Sequence, residues 1–264
     1  MIVLSDQLSL GYDDVGKGLA VVFLHGFPHN RSLWQSQMGG LAAPCRCIAL
    51  DLRGFGESSA AEPYSMDRYA DDVATVLREL DVSQAVVAGL SMGGYVAFSV
   101  WRRHPELMRA LVLCDTKSGA DDEKGRAARR DMIALVREKG PSAIADRMIA
   151  GMVGKTSREK NPDLVEGMHR MMSLAPAAGV EGALTALMER VDSGPTLATI
   201  TVPTLIVVGE EDALTPVAES RAMHQAIRGS RLEVLAGAGH VSNVERPAAF
   251  NHVLSEFLTS LTSQ

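Results

Sequence analysis

Residues 85–97, Ala85-Val86-Val87-Ala88-Gly89-Leu90-Ser91-Met92-Gly93-Gly94-Tyr95-Val96-Ala97, change character half-way along. The first six residues form a continuous apolar run rather than an alternating one. Such a run implies a strand buried on both faces, as in a parallel sheet covered by helices. Beyond Gly94, residues Val96, Ala97, Val100 and Trp101 are apolar at helical spacing. Turning from strand to helix within so few residues strains the central residue and crowds the neighbouring segments, so small residues are needed on both sides. Gly89 and Gly93 meet that need. The elbow presents the Ser91 hydroxyl at the carboxyl end of the strand, with the Met92 N–H as a donor at the helix N-terminus. A serine that merely caps a helix is the plainer alternative.

Working outward, similar apolar runs bounded by turn residues recur at 19–25, 45–51, 108–115, 204–209 and 231–235. An earlier pair, 2–4 and 7–12, reads as an antiparallel hairpin at the sheet edge. Met66, Tyr69, Val73, Val76, Leu77 and Leu80 step by three and four, as do Phe250, Val253, Leu254, Phe257, Leu258 and Leu261. Strands alternating with helices of one apolar stripe predict an α/β fold with a mostly parallel, doubly wound sheet. Ligands of such sheets gather at the carboxyl ends of the strands.

The segment 117–198 has no strand pattern. It holds seven of the thirteen methionines and no Phe, Tyr or Trp, and its 13 basic and 12 acidic residues nearly cancel. It is expected to be a helical cap inserted into a core domain made of 1–116 and 199–264. A roof of unbranched thioethers at Met132, Met148, Met152, Met168, Met171, Met172 and Met188 predicts a preference for flexible aliphatic over flat aromatic ligands.

With 26 basic against 32 acidic residues the formal charge is −6. No cluster of Lys and Arg is interleaved with aromatics, so nucleic acid is not an expected partner. Polar residues interrupt Met1 to Leu10, and no stretch is apolar for long enough to span a bilayer, so no membrane partner is expected either. Cys45, Cys47 and Cys114 make no zinc pattern and read as reduced, buried thiols in a cytoplasmic protein.

The elbow, His25-Gly26-Phe27-Pro28 after a strand, Asp51-Leu52-Arg53-Gly54-Phe55-Gly56-Glu57-Ser58, and a late Asp and His in the order Ser, Asp, His together resemble the α/β-hydrolase superfamily. A serine hydroxyl needs a base within hydrogen-bond reach and a group to orient that base. Of seven histidines, His240 in Gly237-Ala238-Gly239-His240 can hang over the carboxyl edge from the loop after the last strand. His25 is expected to shape its own loop; His104, His224 and His252 fall in helical patterns and His169 in the cap. Asp212, just after the 204–209 strand, stands at the family's acid position, with Asp115 as the rival and Glu210 and Glu211 as solvated turn charges. The resemblance implies the Phe27 N–H as second oxyanion donor beside Met92. Asp51 and Arg53 read as structural.

Ser91 stands where haloalkane dehalogenases and epoxide hydrolases carry Asp. Leu90 and Val241 replace the Asn and Trp of the carbon–carbon bond hydrolases. The elbow Gly-Leu-Ser-Met-Gly-Gly and the ending Gly239-His240-Val241-Ser242-Asn243-Val244-Glu245-Arg246-Pro247 look most like bacterial carboxylesterases and 3-oxoadipate enol-lactonases. The His25-Gly26 pair, unusual in those lactonases, widens the expectation to a general carboxylic ester or lactone hydrolase that needs no cofactor and no metal. Alternatives are a triad-bearing small-molecule receptor or signalling protein with slow hydrolysis, and perhydrolase or carbon–carbon bond hydrolase activity.

Overall fold

A computed structural model describes residues 1–5, 8–41, 43 and 45–262. In chain order the elements are β1 (Ile2–Ser5), β2 (Leu8–Gly16), β3 (Leu19–Leu24), α1 (Gln35–Leu41), β4 (Cys45–Leu50), α2 (Met66–Glu79), β5 (Ala85–Leu90), α3 (Met92–Arg103) and β6 (Met108–Cys114). Six helices follow without a strand: α4 (Glu123–Lys139), α5 (Pro141–Met152), α6 (Lys155–Lys160), α7 (Pro162–Ser173), α8 (Ala177–Glu189) and α9 (Gly194–Leu197). The chain then returns through β7 (Thr204–Gly209), α10 (Val217–Ala226), β8 (Arg231–Leu235), α11 (Ser242–Glu245) and α12 (Pro247–Thr262).

The strands join in the order β1-β2-β4-β3-β5-β6-β7-β8. From β4 to β8 every neighbour is parallel, whereas β1 pairs antiparallel with β2 and β2 with β4. Successive side chains of β3 explain why its run is continuous. Val22 and Leu24 pack on one face with residues of α2, α3 and α10, and Val21 and Phe23 pack on the other with α1 and α12.

The predicted edge hairpin differs in extent. Its second strand continues to Gly16, because residues Tyr12–Gly16 go on to pair with β4 from Leu50 back to Arg46. Gln7, where that strand is expected to begin, lies outside the described residues. Three parallel strands end one residue earlier than predicted. His25, Asp51 and Asp115 leave the ladder and spend their side chains on the loops beyond it. His104, expected inside a helix, instead ends α3 and pairs with Asp71. The three cysteines are free and buried.

Candidate active site

Ser91 has the strained backbone that the turn demands, with φ 53° and ψ −112°. The surroundings enforce it. A Cβ on Gly89 would lie 2.2 Å from the Gly93 carbonyl oxygen, and a Cβ on Gly93 would lie 2.2 Å from that of Leu24. The Ser91 N–H donates to Cys114 O (2.9 Å), and the Thr116 hydroxyl donates to Ser91 O (2.8 Å), tying the elbow to the end of β6. Ser91 occupies the N-cap position of α3, yet its hydroxyl makes no capping bond. That hydroxyl lies 2.8 Å from His240 Nε2.

On its other side, His240 Nδ1 is 2.9 Å from Asp212 Oδ2. Asp212 is further held by the N–H groups of Leu214 (2.8 Å) and Thr215 (2.9 Å) and by the Thr215 hydroxyl (2.7 Å). Burial alone would raise the Asp212 pKa, but the charge of His240 and these hydrogen bonds outweigh it and keep the carboxyl below its ordinary value. An ionised carboxylate only accepts, so Nδ1 carries the proton and Nε2 is free to accept from Ser91. Burial likewise opposes a charged His240, and Asp212 reverses the balance so that its pKa is raised.

The other histidines of the interior are set differently. His25 Nε2 accepts the Leu52 N–H (3.0 Å) and burial lowers its pKa, so it is a neutral brace for its loop. The pKa of His29 is pushed down to about 3, chiefly by burial. Neither touches a nucleophile.

Asp115, the rival acid, does not bond to His240. Its Oδ1 accepts the Gly209 N–H (2.8 Å) and its Oδ2 the Ser242 hydroxyl (2.6 Å) and N–H (3.2 Å). Burial and the charge of Asp212 push its pKa up to about 8. It therefore fastens the ends of β6 and β7 to the loop that carries His240. Asp51 accepts the Arg31 (2.7 Å) and Glu57 (2.8 Å) N–H groups, and Arg53 forms a two-pronged pair with Asp72 (2.8 and 2.6 Å). Both are loop anchors.

A cavity of about 130 Å³ opens over Ser91 and is lined by Phe27, Met92, Tyr95, Met148, Met152, Leu187, Leu214, Thr215, His240, Lys117 and Arg129. A Cβ on Gly26 would stand 3.2 Å from Ser91 Cβ, so the Phe27 loop closes directly on the nucleophile. The N–H groups of Phe27 and Met92 have no acceptor among the described residues. A larger hollow of about 310 Å³ beside Arg53, Arg68 and Asp72 lies elsewhere, and no residue lining it pairs a hydroxyl or thiol with a histidine.

The roof differs from the one predicted. Only Met148 and Met152 of the seven methionines line the cavity. Met168 and Met172 are buried in the packing around α7, Met132 is buried on α4, and Met171 and Met188 are partly covered. Aromatic rings are present after all, supplied from the core by Phe27 and Tyr95.

Glu211 is also not a solvated turn charge. Its carboxylate accepts the Thr156 hydroxyl (2.5 Å) and N–H (2.8 Å), joining the β7 loop to α6. Glu210 stays exposed and accepts the Gly237 N–H (3.1 Å). Buried Glu245 bridges the Gly239 N–H (2.8 Å) and the Gly154 N–H (3.0 Å), and the His240 N–H donates to Met152 O (3.1 Å). Met152 and Gly154 are thereby stitched to the segment 239–245 that carries His240, and Thr156 to the loop after β7. Thr215 could have been found from sequence as the hydroxyl three residues after Asp212, in the position of an Asx turn. Nothing local marks Glu245, Lys117 or Arg129.

A family model described as the alpha/beta hydrolase fold matches residues 20–247. The chain belongs to the α/β hydrolase fold family. This α/β hydrolase is 32% identical over 253 residues to 3-oxoadipate enol-lactonase 2 of Acinetobacter baylyi, covering 95% of this chain and 93% of the relative. Among solved structures it is similar to a thermophilic esterase from Thermogutta terrifontis, with TM-score 0.94 and 36% identity over 96% of this chain and 94% of that one. It is also similar to the enol-lactonase from Burkholderia xenovorans LB400, with TM-score 0.91 and 26% identity over 98% of this chain and all of that one. The α/β hydrolase core carries Ser91, Asp212 and His240 beyond the carboxyl ends of β5, β7 and β8. Among its described residues no group of three or more His, Cys, Asp or Glu could hold a metal ion, and no single helix is long and apolar enough to cross a membrane.

Proposed function

We propose that the protein is a serine hydrolase that cleaves carboxylic esters or lactones through an acyl-enzyme on Ser91. The observation that carries this reading is the continuous relay from Ser91 Oγ to His240 Nε2 (2.8 Å) and from His240 Nδ1 to Asp212 Oδ2 (2.9 Å). His240 takes the Ser91 proton as Oγ attacks the ester carbonyl. Asp212 holds the correct tautomer and stabilises the imidazolium that forms. The Phe27 and Met92 N–H groups receive the negative charge that develops on the carbonyl oxygen. A donor of this kind is worth about 2.7–4 kcal/mol in the transition state. His240 then gives the proton to the departing alkoxide. Water enters by the reverse sequence, with His240 as base, and releases the acid.

The esterase and enol-lactonase relatives support an ester or lactone as substrate. In this reading the segment 117–198 is a lid whose inner surface selects what reaches Ser91. The test is steady-state hydrolysis of p-nitrophenyl esters by the wild type and Ser91→Ala, beside labelling with a fluorophosphonate. One phosphonyl group per chain on Ser91 and loss of turnover in the variant are expected; turnover near the wild-type rate in Ser91→Ala overturns the proposal.

A further inference from the structure

Two cations line the cavity above Ser91, Lys117 just after β6 and Arg129 on α4, and no Asp or Glu lines it. Lys117 is half-buried and makes no hydrogen bond or ion pair among the described residues. Arg129 uses only its Nε, 3.0 Å from Asp121 Oδ2. Its two terminal nitrogens remain free to form the parallel hydrogen bonds that suit a carboxylate. Asp121 is itself shared. Its Oδ1 lies 2.9 Å from Arg190, whose guanidinium sits 4.3 Å above the ring of the cavity residue Tyr95. One carboxylate thus serves two guanidinium groups, and Lys117 has none. The other acids whose charge reaches His240, Asp212, Asp115 and Glu245, do not line the cavity and are occupied by His240 and Thr215, by Gly209 and Ser242, and by Gly239 and Gly154 respectively. In a chain of net charge −6, this surplus of positive charge opens onto the Ser91 cavity.

We propose that Lys117 and Arg129 bind a carboxylate carried by the substrate, so that the preferred esters or lactones are anionic ones, with the charge a few bonds from the scissile carbonyl. The inference rests on the reading of Ser91 as an ester-cleaving nucleophile. An unpaired, half-buried cation beside a narrow apolar cavity is costly unless something anionic occupies that cavity. Bound carboxylate would also fix the substrate's orientation, because Met148, Met152 and Leu187 offer it only nondirectional contact.

The test compares kcat/KM in a pH-stat for two pairs: monoethyl glutarate, with its carboxylate on the acyl side, against neutral ethyl valerate, and acetoxyacetate, with its carboxylate on the alcohol side, against neutral propyl acetate. A preference of about tenfold or more for the anionic member of at least one pair is expected, expressed mainly in KM and shrinking as ionic strength rises. Lys117→Met should cut that anionic-to-neutral ratio about tenfold, while Lys117→Arg restores it, and Arg129→Gln should lower it as well. If both pairs are hydrolysed in a Ser91-dependent manner with equal kcat/KM, or if the ratio is the same in Lys117→Met, the inference is overturned and the hydrolase reading stands. If no ester of either pair is hydrolysed, both fall.

Discussion

Asp212 and Asp115 are both buried carboxyls within the same loop cluster, but they face different partners, and single-residue exchanges separate them. Asp212→Asn leaves the shape and removes the acceptor that keeps the proton on His240 Nδ1. The expected loss in kcat is about 10³–10⁴-fold, because the wrong tautomer turns a donor toward Ser91. Asp115→Asn instead sets an amide N–H₂ against the N–H of Gly209 or Ser242, so it should lower the unfolding midpoint more than kcat. A larger kcat loss in Asp115→Asn than in Asp212→Asn, measured side by side, would reassign the acid. The pH profile follows from the same geometry. His240 must be neutral to accept the serine proton, and Asp212 raises its pKa, so kcat/KM should climb through an apparent pKa above the ordinary imidazole value of 6.5 and then level off. In Asp212→Asn that limb should move to lower pH. A wild-type limb at or below 6.5 would contradict the ion pair.

At the scale of elements, the link between residues 154–156 and the loops after β7 and β8 depends on the carboxylates of Glu211 and Glu245. Glu245→Gln keeps one acceptor and turns the other into a donor that confronts the N–H of Gly239 or Gly154. The expected cost is about 1–3 kcal/mol, or roughly 2–4 °C in melting temperature for each kcal/mol in a chain of this size. Calorimetry reads it; an unchanged transition would mean that this bridge contributes nothing. The elements differ in how far their sequence announces them. β5, the elbow and α3 were legible because Gly89 and Gly93 leave room that no other residue does, and the continuous runs of β3 and β7 marked strands covered on both sides. The order Ser91, Asp212, His240 and the strand ends that bear them could be read for the same reason. The full length of β2 was not legible, because its outer half pairs with β4, whose position in the sheet is set by tertiary packing. Glu245 and Glu211 were not legible either. Each acts on an N–H group 55 to 91 residues away, at Thr156 or Gly154, and no local pattern encodes that distance.

For the molecule as a whole, the cavity over Ser91, closed on one side by residues of α4, α5 and α8, limits the size of what can reach it. The methionines of 117–198 suggested a roof of thioethers, but helix-to-helix packing consumes most of those side chains, which composition alone cannot reveal. Those that remain, Met148 and Met152, join Leu187 from the same segment and Phe27, Tyr95 and Leu214 from outside it around a cavity of about 130 Å³. Across neutral linear acyl esters, kcat/KM should therefore rise by up to about fourfold per methylene, the equivalent of ~0.8 kcal/mol, and fall once the small cavity is full. Met148→Ala should move the maximum to a longer chain. A flat series, unchanged by that substitution, would mean that Met148 does not touch the acyl group.

The covalent intermediate tests the central claim most directly. Wild-type protein mixed with a slight excess of p-nitrophenyl acetate and quenched in acid within the first turnover should show one acetyl group by mass, located on Ser91. Its release should match the steady-state rate, and Ser91→Ala should carry none. Acetyl found on another residue, or release of p-nitrophenol by Ser91→Ala at the wild-type rate, would contradict the account.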